Sequence, residues 1–348
     1  MTKSSDNGPI ISLIVPCYNE ERFLPAFLES LRQQSISPLH FELIVLDGMS
    51  TDKSRDILRA YAKYFPHFSL EDNPDRYVPQ ALNKGIRLAC TQYIARMDVH
   101  TIYPPDYLEQ LLFWQQKTGA DNIGGLCQIV PRSSSSKALA IALALAHPLG
   151  VGNSTFRTGT REVKEVDTVP FGFFPKATFE KFGLFDERLI RNQDIEYNKR
   201  ILRQGGKIIL VPEIQCQYFA RDRFSQLWKN MFDTGKWVIR AVRLTGRRDA
   251  LSGRHFVPML FVLYLLSVPM ALFWGSTATP IFGIPAGFLA ALYLLPFLFY
   301  LLSLFAIGLQ LALRHRSPAL LWLLPYTFFL IHLAYGLGSW YAVIKTKH

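Results

Sequence analysis

From residue 255 to residue 344 the chain carries no acidic residue and no lysine, and its only arginines are Arg314 and Arg316. Leu, Phe, Ala, Tyr and Pro dominate this stretch. It divides into apolar runs at 256–274, 281–313 and 320–344. The first is close to the ~20 residues that cross a bilayer. The second is longer than one span needs and reads as one long helix, one broken at Pro296, or two shorter ones. The third has His332, Trp340 and Tyr341 towards its end, and Trp and Tyr suit a membrane interface. Backbone groups in hydrocarbon must pair within their own segment, so these runs are expected to be helices, with two to four crossings.

The overall hydrophobic fraction of 49% is therefore an average over two solvents, because the first 250 residues mix charge and apolar residues as an α/β protein does. Arg240, Arg243, Arg247, Arg248 and Arg254 precede the first run, and Arg314 and Arg316 follow the second. The positive-inside rule places both clusters on the cytoplasmic face, as an N-in hairpin. Lys345 and Lys347 argue for an inside C-terminus. Residues 1–9 are polar and contain no apolar h-region, so no cleavable signal peptide is expected. The expectation is a multi-pass protein of the cell (inner) membrane with a cytoplasmic head. The net charge of +11 lies largely in the basic stretch before the first run, where anionic membrane lipids are the simpler partner. No nucleic-acid motif accompanies it, so nucleic acid is not an expected partner. Cys17, Cys90, Cys127 and Cys216 lack paired metal spacing and read as reduced thiols.

Three parts follow: a head over 1–222, an amphipathic interfacial helix with a basic linker over 223–254, and a transmembrane helical region over 255–348. In the middle part Phe224, Leu227, Trp228, Met231, Phe232 and Val238 recur at near-helical spacing, with Lys229, Lys236, Arg240 and Arg243 between them. That pattern predicts a helix lying on the membrane surface. The serines at 133–136 and the apolar residues 138–146 are too few to span and read as a mobile, partly membrane-facing acceptor loop.

In the head, residues 10–15, 41–46 and 93–98 read as strands. Helical patterns alternate with them: Phe23, Leu24, Phe27, Leu28 and Leu31; Ile57, Leu58 and Tyr61 after the N-cap types Ser50, Thr51 and Asp52; and residues 78–89. Such alternation predicts an α/β fold, Rossmann-like, with a mostly parallel sheet. Ligands of such sheets sit at the carboxyl ends of the strands, which brings Asn19, Asp47 and Asp98 towards one crevice. No GxGxxG or Walker sequence is present. Asp98 ends a buried strand, where a lone carboxylate is costly unless a cation meets it. Mn²⁺ or Mg²⁺ carrying a nucleotide diphosphate would do so, with His100 two positions on as a second contact. The alternative is an aspartate capping the turn before Pro104-Pro105.

Together, Ser12-Leu13-Ile14-Val15-Pro16-Cys17-Tyr18-Asn19-Glu20, Asp47-Gly48-Met49-Ser50-Thr51-Asp52, Asn83-Lys84-Gly85, Ala95-Arg96-Met97-Asp98-Val99-His100 and Asn192-Gln193-Asp194-Ile195-Glu196 resemble a family 2 inverting glycosyltransferase of GT-A fold. The resemblance covers residues 10–215 and is greatest to the succinoglycan-type exopolysaccharide glucosyltransferases, through Arg-x-Asp-x-His, Gly150-Val151-Gly152-Asn153 and the membrane tail. It implies that Pro16 and Glu20 flank the nucleotide pocket and that Asp47 approaches the uracil or ribose; Tyr18, Lys84 and Arg96 are further donor-binding candidates. It implies Asp98 on the metal side and Asp194 as general base. Two positions depart from the family: Gly48 stands where a second Asp is frequent, and His100 replaces the second acid of DXD. His100 is a metal ligand, a phosphate contact or an ordinary strand-end histidine.

A glycosyl transfer needs a stabilised leaving diphosphate and a base for the attacking hydroxyl. Asp98 and Asp194 supply the two roles, although Asp194 at a helix start would also serve as an N-cap. Asp186 and Glu187, in a loop, and Gly172 and Phe173, in an aromatic stretch, are acceptor-side candidates; solvated turn and core filling are their alternatives. Lys84 reaches a diphosphate or is a solvated surface lysine, and Arg96 contacts donor or forms a structural ion pair. The expected substrates are a nucleotide sugar, UDP-glucose or another UDP-hexose, and a polyprenyl-diphosphate-linked saccharide, with other polysaccharide-assembly proteins as further partners. The absence of Gln-x-x-Arg-Trp predicts addition of one sugar per acceptor. The competing readings are a polyprenyl-phosphate sugar synthase and a membrane scaffold with an inactive nucleotide-binding head.

Overall fold

The computed structural model describes residues 8–152, 154–246, 253–279 and 285–345. Asn153, Arg247, Arg248 and Lys347, and the side chain of Arg254, lie outside the described residues. The chain forms two compact units, Met1–Gln128 with Ser154–Phe219, and Ile129–Asn153 with Ala220–His348.

The first unit begins with β1 (Ile11–Cys17), α1 (Leu24–Arg32), β2 (Phe41–Asp47), α2 (Ser54–Tyr61), β3 (Phe68–Asp72), α3 (Val78–Leu88), β4 (Tyr93–Arg96), β5 (Thr101–Ile102), α4 (Tyr107–Thr118) and β6 (Asn122–Val130). The chain then makes α5 (Ser136–Ala146) and α6 (Pro148–Val151) of the second unit. It returns with α7 (Thr155–Thr158), β7 (Lys164–Glu165), β8 (Phe173–Pro175), α8 (Ala177–Phe182), α9 (Gln193–Arg203) and β9 (Ile208–Phe219). β1 and β2 are near-continuous apolar runs because helices cover both faces of a parallel sheet. The strand order is β3-β2-β1-β4-β8-β6-β9-β5, with β7 on β9. The β3-β2-β1-β4 ladders are parallel, and β4–β8, β8–β6, β5–β9 and β7–β9 are antiparallel. The result is the expected α/β class, a mixed sheet whose longest ladders are parallel. β3 was not among the expected strands; it lies at the edge of the sheet, is only half-buried, and has a weak apolar signal.

Register sets the ligand edge. Cys17 pairs with Asp47 and Asp47 with Asp72, so the carboxyl ends of β1, β2 and β3 are level. The chain steps outward from β1 to β2 and β3, then returns to β4 on the other flank of β1. This reversal opens a crevice between the ends of β1 and β4. Below it, Phe174, Phe179, Phe182, Phe185 and Tyr197 join Ile14, Leu46 and Leu82 in one core.

The second unit is helical. α10 (Phe224–Thr245) is followed by α11 (Val257–Thr277), α12 (Ala286–Arg314) and α13 (Leu320–Ile344). The last three are each long and apolar enough to cross a membrane. α12 is one helix with Pro296 inside it, which settles the reading of the second apolar run. α11 and α12 leave Leu266, Met270, Phe273, Phe299 and Leu302 exposed, the pattern of helices solvated by lipid. α13 is half covered by its neighbours. Among them it carries His332, whose Nδ1 lies 2.8 Å from the Tyr300 hydroxyl and whose Nε2 lies 2.8 Å from the Leu149 carbonyl.

Two expectations are corrected in this unit. α10 does not present its apolar face to lipid: Leu227, Met231, Phe232 and Trp228 pack in one cluster with α13 residues Leu324, Phe328, Ile331 and Tyr335. Arg243, expected beside lipid head groups, donates to the carbonyls of Ala342 and, at 2.8 Å, Val343, and so caps the C-terminal end of α13. An amphipathic stripe suits a protein groove as well as a bilayer, and a helix groove satisfies it here. Most of the 133–146 segment, from Ser136 on, is helix rather than loop. Ser135 Oγ accepts the Ala138 N–H at 3.1 Å, and the alanine-rich α5 packs into the same cluster.

Glycine makes the α10–α13 approach possible. A Cβ at Gly235 would lie 2.1 Å from the Tyr335 carbonyl oxygen, and one at Gly338 would lie 2.0 Å from that of Phe232. Backbone cannot yield as a flexible side chain does. Gly235→Ala and Gly338→Ala are each expected to destabilise the helical unit by about 1–3 kcal/mol. The check is thermal unfolding in detergent; an unchanged midpoint in both variants would contradict the close crossing.

Candidate active site

The turns after β1 and β2 are laced together. Asn19, at φ 54°, accepts the Thr51 N–H through Oδ1 at 2.8 Å, and its own N–H donates to Ser50 Oγ at 2.9 Å. The Glu20 N–H donates to Ser54 Oγ at 2.7 Å. Asp52 accepts from Glu21 N–H at 3.1 Å and from Ser54 N–H at 2.9 Å, in the turn that leads into α2. Gly48 fits this lattice, since a Cβ there would sit 3.2 Å from the Tyr18 side chain. Tyr18 is exposed beside this turn, with the Arg76 guanidinium 5.6 Å from its ring centre, and Pro16 is half-buried near the end of β1.

Asp47 has 0% side-chain exposure. Its Oδ2 accepts from Ser50 N–H at 3.0 Å and from Arg55 Nη1 at 2.8 Å, and Arg55 also reaches Asp72 at 2.7 Å. Its Oδ1 is buried with no hydrogen-bond partner. A buried carboxylate oxygen without a partner is costly, so it marks a position where a donor is wanting. Lys84 is anchored at the end of β3, donating to the Asp72 carbonyl at 2.8 Å and pairing with Glu71 at 3.2 Å.

At the crevice between β1 and β4, the Asp98 N–H donates to the Tyr103 hydroxyl at 2.9 Å, and Asp98 Oδ1 accepts the His100 N–H at 2.8 Å. The His100 ring bridges two acids: Nδ1 is 3.4 Å from Asp98 Oδ1 and Nε2 is 3.1 Å from Glu20 Oε2. Phe23 packs on its face, centroids 4.7 Å apart. Burial disfavours the charged imidazole, but the hydrogen bonds to Asp98 and Glu20 outweigh it and raise its pKa to about 9. Burial likewise opposes ionisation of Asp98, and the contacts with His100 hold its carboxyl below its usual value all the same. In this arrangement both ring nitrogens face carboxylates, and the protonated His100 bridges the two acids.

This arrangement makes a pH prediction for the ligand-free protein. Folded His100 keeps its proton to about pH 9, whereas an ordinary histidine releases it near 6.5. Its stabilising contribution is complete below pH 6.5 and is lost as pH rises through 9. The side chain is 28% exposed, so the contribution is bounded at about 3 kcal/mol. The midpoint gap between wild type and His100→Gln should be wide at pH 6 and close by about pH 9.5; a gap independent of pH would exclude this pairing.

Asp194 comes from the far end of the domain. It is the second residue of α9, whose N-cap is Asn192 at φ 62°, so it is not the cap itself. Its side chain is 42% exposed, and Oδ2 lies 3.8 Å from Arg96 Nη1. Arg96 Nη1 is buried with no hydrogen bond, and the Arg96 N–H donates to the Gly172 carbonyl at 3.1 Å. Arg96 thus links Asp194 to the end of β4, two residues before Asp98.

The other acceptor-side candidates are committed elsewhere. Asp186 forms a two-pronged pair with Arg188, closest contact 2.6 Å, and those hydrogen bonds lower its pKa. Glu187 accepts from Asn83 Nδ2 at 2.8 Å, and Asn83 also clasps both backbone groups of Phe185. Phe173 is corrected to a core residue: it is 0% exposed and stacks on Tyr93. Gly172, at φ 95°, is required where it stands, because a Cβ would meet the Phe174 ring at 2.4 Å. Arg55 and Tyr103, which hold Asp47 and Asp98, were not singled out in the sequence; neither belongs to a motif, and only their contacts mark them.

Among the described residues, no three His, Cys, Asp or Glu side chains form a ready-made metal cluster. Asp98, 30% exposed at the crevice, does fit a cation that takes one protein carboxylate and fills its shell with substrate phosphate and water.

The sequence profile of "Glycosyl transferase family 2" matches residues 12–183. Succinoglycan biosynthesis protein ExoA of Rhizobium meliloti is 28% identical over 94% of this chain and 93% of its own. A dolichyl N-acetyl-α-D-glucosaminyl phosphate 3-β-D-2,3-diacetamido-2,3-dideoxy-β-D-glucuronosyltransferase of Methanococcus voltae is 25% identical over 96% and 97%. Among solved structures, the mannosyltransferase PcManGT of Pyrobaculum calidifontis, in complex with GDP-Man and Mn²⁺, superposes with a TM-score of 0.60 at 19% identity, over 98% of this chain and 88% of that one. The chain is a glycosyltransferase, built on a GT-A fold and carrying the domain of family 2.

Proposed function

We propose that this chain is a membrane-bound inverting glycosyltransferase that moves one sugar from a nucleotide sugar, UDP-glucose or another UDP-hexose, to a lipid-linked saccharide in exopolysaccharide or other cell-surface polysaccharide synthesis. The observation that carries it is the meeting, through Arg96, of Asp194 with the strand end that bears Asp98. In this reading the unit of residues 1–128 and 154–219 is the cytoplasmic catalytic domain, and residues 129–153 and 220–348 form the membrane region of a multi-pass inner-membrane protein, with α10 packed on α13.

Asp47 Oδ1, the buried unpartnered acceptor, takes a donor N–H of the base or a ribose hydroxyl. Tyr18 and Pro16 border that pocket. Asp98 holds a Mn²⁺ or Mg²⁺ ion together with the diphosphate. Such a cation neutralises the charge that develops on the departing diphosphate. His100, kept protonated by Glu20 and Asp98, adds a fixed positive charge beside the same oxygens. Asp194 removes the proton of the acceptor hydroxyl as that oxygen attacks the anomeric carbon and the bond to diphosphate breaks. A single displacement inverts the anomeric centre. A Mn²⁺-bound fold neighbour and a relative named for a dolichyl-linked sugar phosphate support the cation and the lipid-linked acceptor.

The test is donor turnover by detergent-purified protein across a nucleotide-sugar panel, with Mn²⁺, Mg²⁺ or EDTA, followed by analysis of the lipid product. Metal-dependent turnover of one UDP-sugar and an extended lipid-linked saccharide are expected. A sugar on a lipid monophosphate would instead identify a polyprenyl-phosphate sugar synthase. Turnover of no nucleotide sugar would leave the scaffold reading in possession.

A further inference from the structure

The turn entering β8 is strained at an unexpected residue. Phe171 has φ 61°, a left-handed conformation that bulky side chains avoid unless their surroundings impose it. The turn is closed by Gly172 N–H donating to the Pro170 carbonyl at 2.7 Å. Glycine or asparagine would adopt this backbone at little cost. A phenylalanine in this conformation is held there by its surroundings, which fixes the position of its ring.

The neighbouring rings do not share its situation. Phe173 and Phe174 are 0% and 3% exposed in the core, whereas Phe171 is half-buried. Its ring meets Tyr103 edge-on, centroids 6.1 Å apart, and Tyr103 is the residue whose hydroxyl receives the Asp98 N–H. The next carbonyl, of Gly172, receives the N–H of Arg96. Phe171 is therefore tied to the supports of Asp98 and of the Arg96–Asp194 pair. The sheet order adds direction: β2 and β1, with Asp47 and Tyr18 at their ends, lie on one flank of β4, and β8 lies on the other. The Gly172 carbonyl that follows Phe171 thus meets Arg96, whose Nη1 lies 3.8 Å from Asp194 Oδ2.

Resting on the transferase reading, we propose that Phe171 is a specificity-determining residue of the acceptor subsite. Its ring stacks on the apolar C–H face of the pyranose that receives the sugar, and Asp194 takes the proton from that pyranose's attacking hydroxyl. The ligand class is a saccharide held by ring stacking rather than by charge.

The experiment uses full-length protein in detergent with lipid-linked saccharides extracted from host membranes as acceptor probe, and measures hydrolysis of the nucleotide sugar to water in parallel. Phe171→Gly removes the ring and relieves the backbone together, so its unfolding midpoint should stay within about 3 °C of wild type. Its acceptor KM should rise about tenfold, with donor hydrolysis unchanged within about twofold. Phe171→Tyr keeps the ring face and should restore KM to within about threefold of wild type. Equal loss of hydrolysis and transfer, or a midpoint that falls in step with activity, overturns the proposal and makes Phe171 a packing residue on Tyr103. A wild-type protein that neither hydrolyses nor transfers any nucleotide sugar overturns the transferase reading first, which a Phe171-specific failure does not.

Discussion

Asp194→Asn is expected to reduce sugar transfer by about 10²–10⁴-fold, the range that a positioned general base contributes. Donor binding should be nearly untouched, because the proposed nucleotide-side groups lie elsewhere: Tyr18 follows β1, Asp47 ends β2 and Lys84 is in α3, none of them in α9. The substitution is also mild structurally. Asn192 rather than Asp194 holds the N-cap position of α9, and the Oδ1 that accepts from Ile195 N–H at 2.9 Å survives as the amide oxygen. Its side chain is 42% exposed, so little packing is lost. The measurement is kcat for transfer beside the dissociation constant for the nucleotide sugar. Transfer above about a tenth of wild type would remove Asp194 from the role of base, since a tenth corresponds to only about 1.4 kcal/mol of barrier.

Asp98→Asn is expected to lower metal-stimulated donor turnover about 10³-fold, as loss of several kcal/mol of leaving-group stabilisation requires. The local fold should persist. Tyr103 holds the backbone N–H of residue 98, not its side chain, and the amide oxygen of asparagine can still accept from His100 N–H. What disappears is the negative charge that a divalent cation needs. The variant should therefore need far more Mn²⁺ for half-maximal turnover, while nucleotide affinity measured in EDTA stays unchanged. A wild-type enzyme indifferent to EDTA, or a variant with the same Mn²⁺ requirement as wild type, would assign Asp98 a purely structural role in the turn.

Much of the head was legible because its signals are local. β1 and β2 are apolar runs of the kind a two-sided parallel sheet requires, and α1 and α3 carry apolar residues at helical spacing. The strand ends followed from these, and with them Asp47 and Asp98. β3 was not legible, since an edge strand is half-exposed and has no sustained apolar pattern. The same limit applied to the aromatic stretch at 168–174. Sequence marks the rings but not which way a strained turn sends them, and the structure assigns Phe173 and Phe174 to the core and leaves Phe171 half-buried against Tyr103.

Hydrophobic patterning and strand-end chemistry were enough to establish an α/β head, three apolar runs able to cross a membrane, and acidic groups at a shared sheet edge. These properties depend on residue type and spacing along a short stretch of chain. Partner choice depends on contacts between distant stretches. The apolar stripe of α10 could have met lipid or protein, and glycines more than 100 residues apart, Gly235 and Gly338, let it close on α13. His100 could have met any of several groups, and the turn after β1 brought Glu20 to it. Asp186 and Glu187 looked available until Arg188 and Asn83 claimed them. In each case one side chain had several chemically reasonable partners, and three-dimensional proximity selected among them.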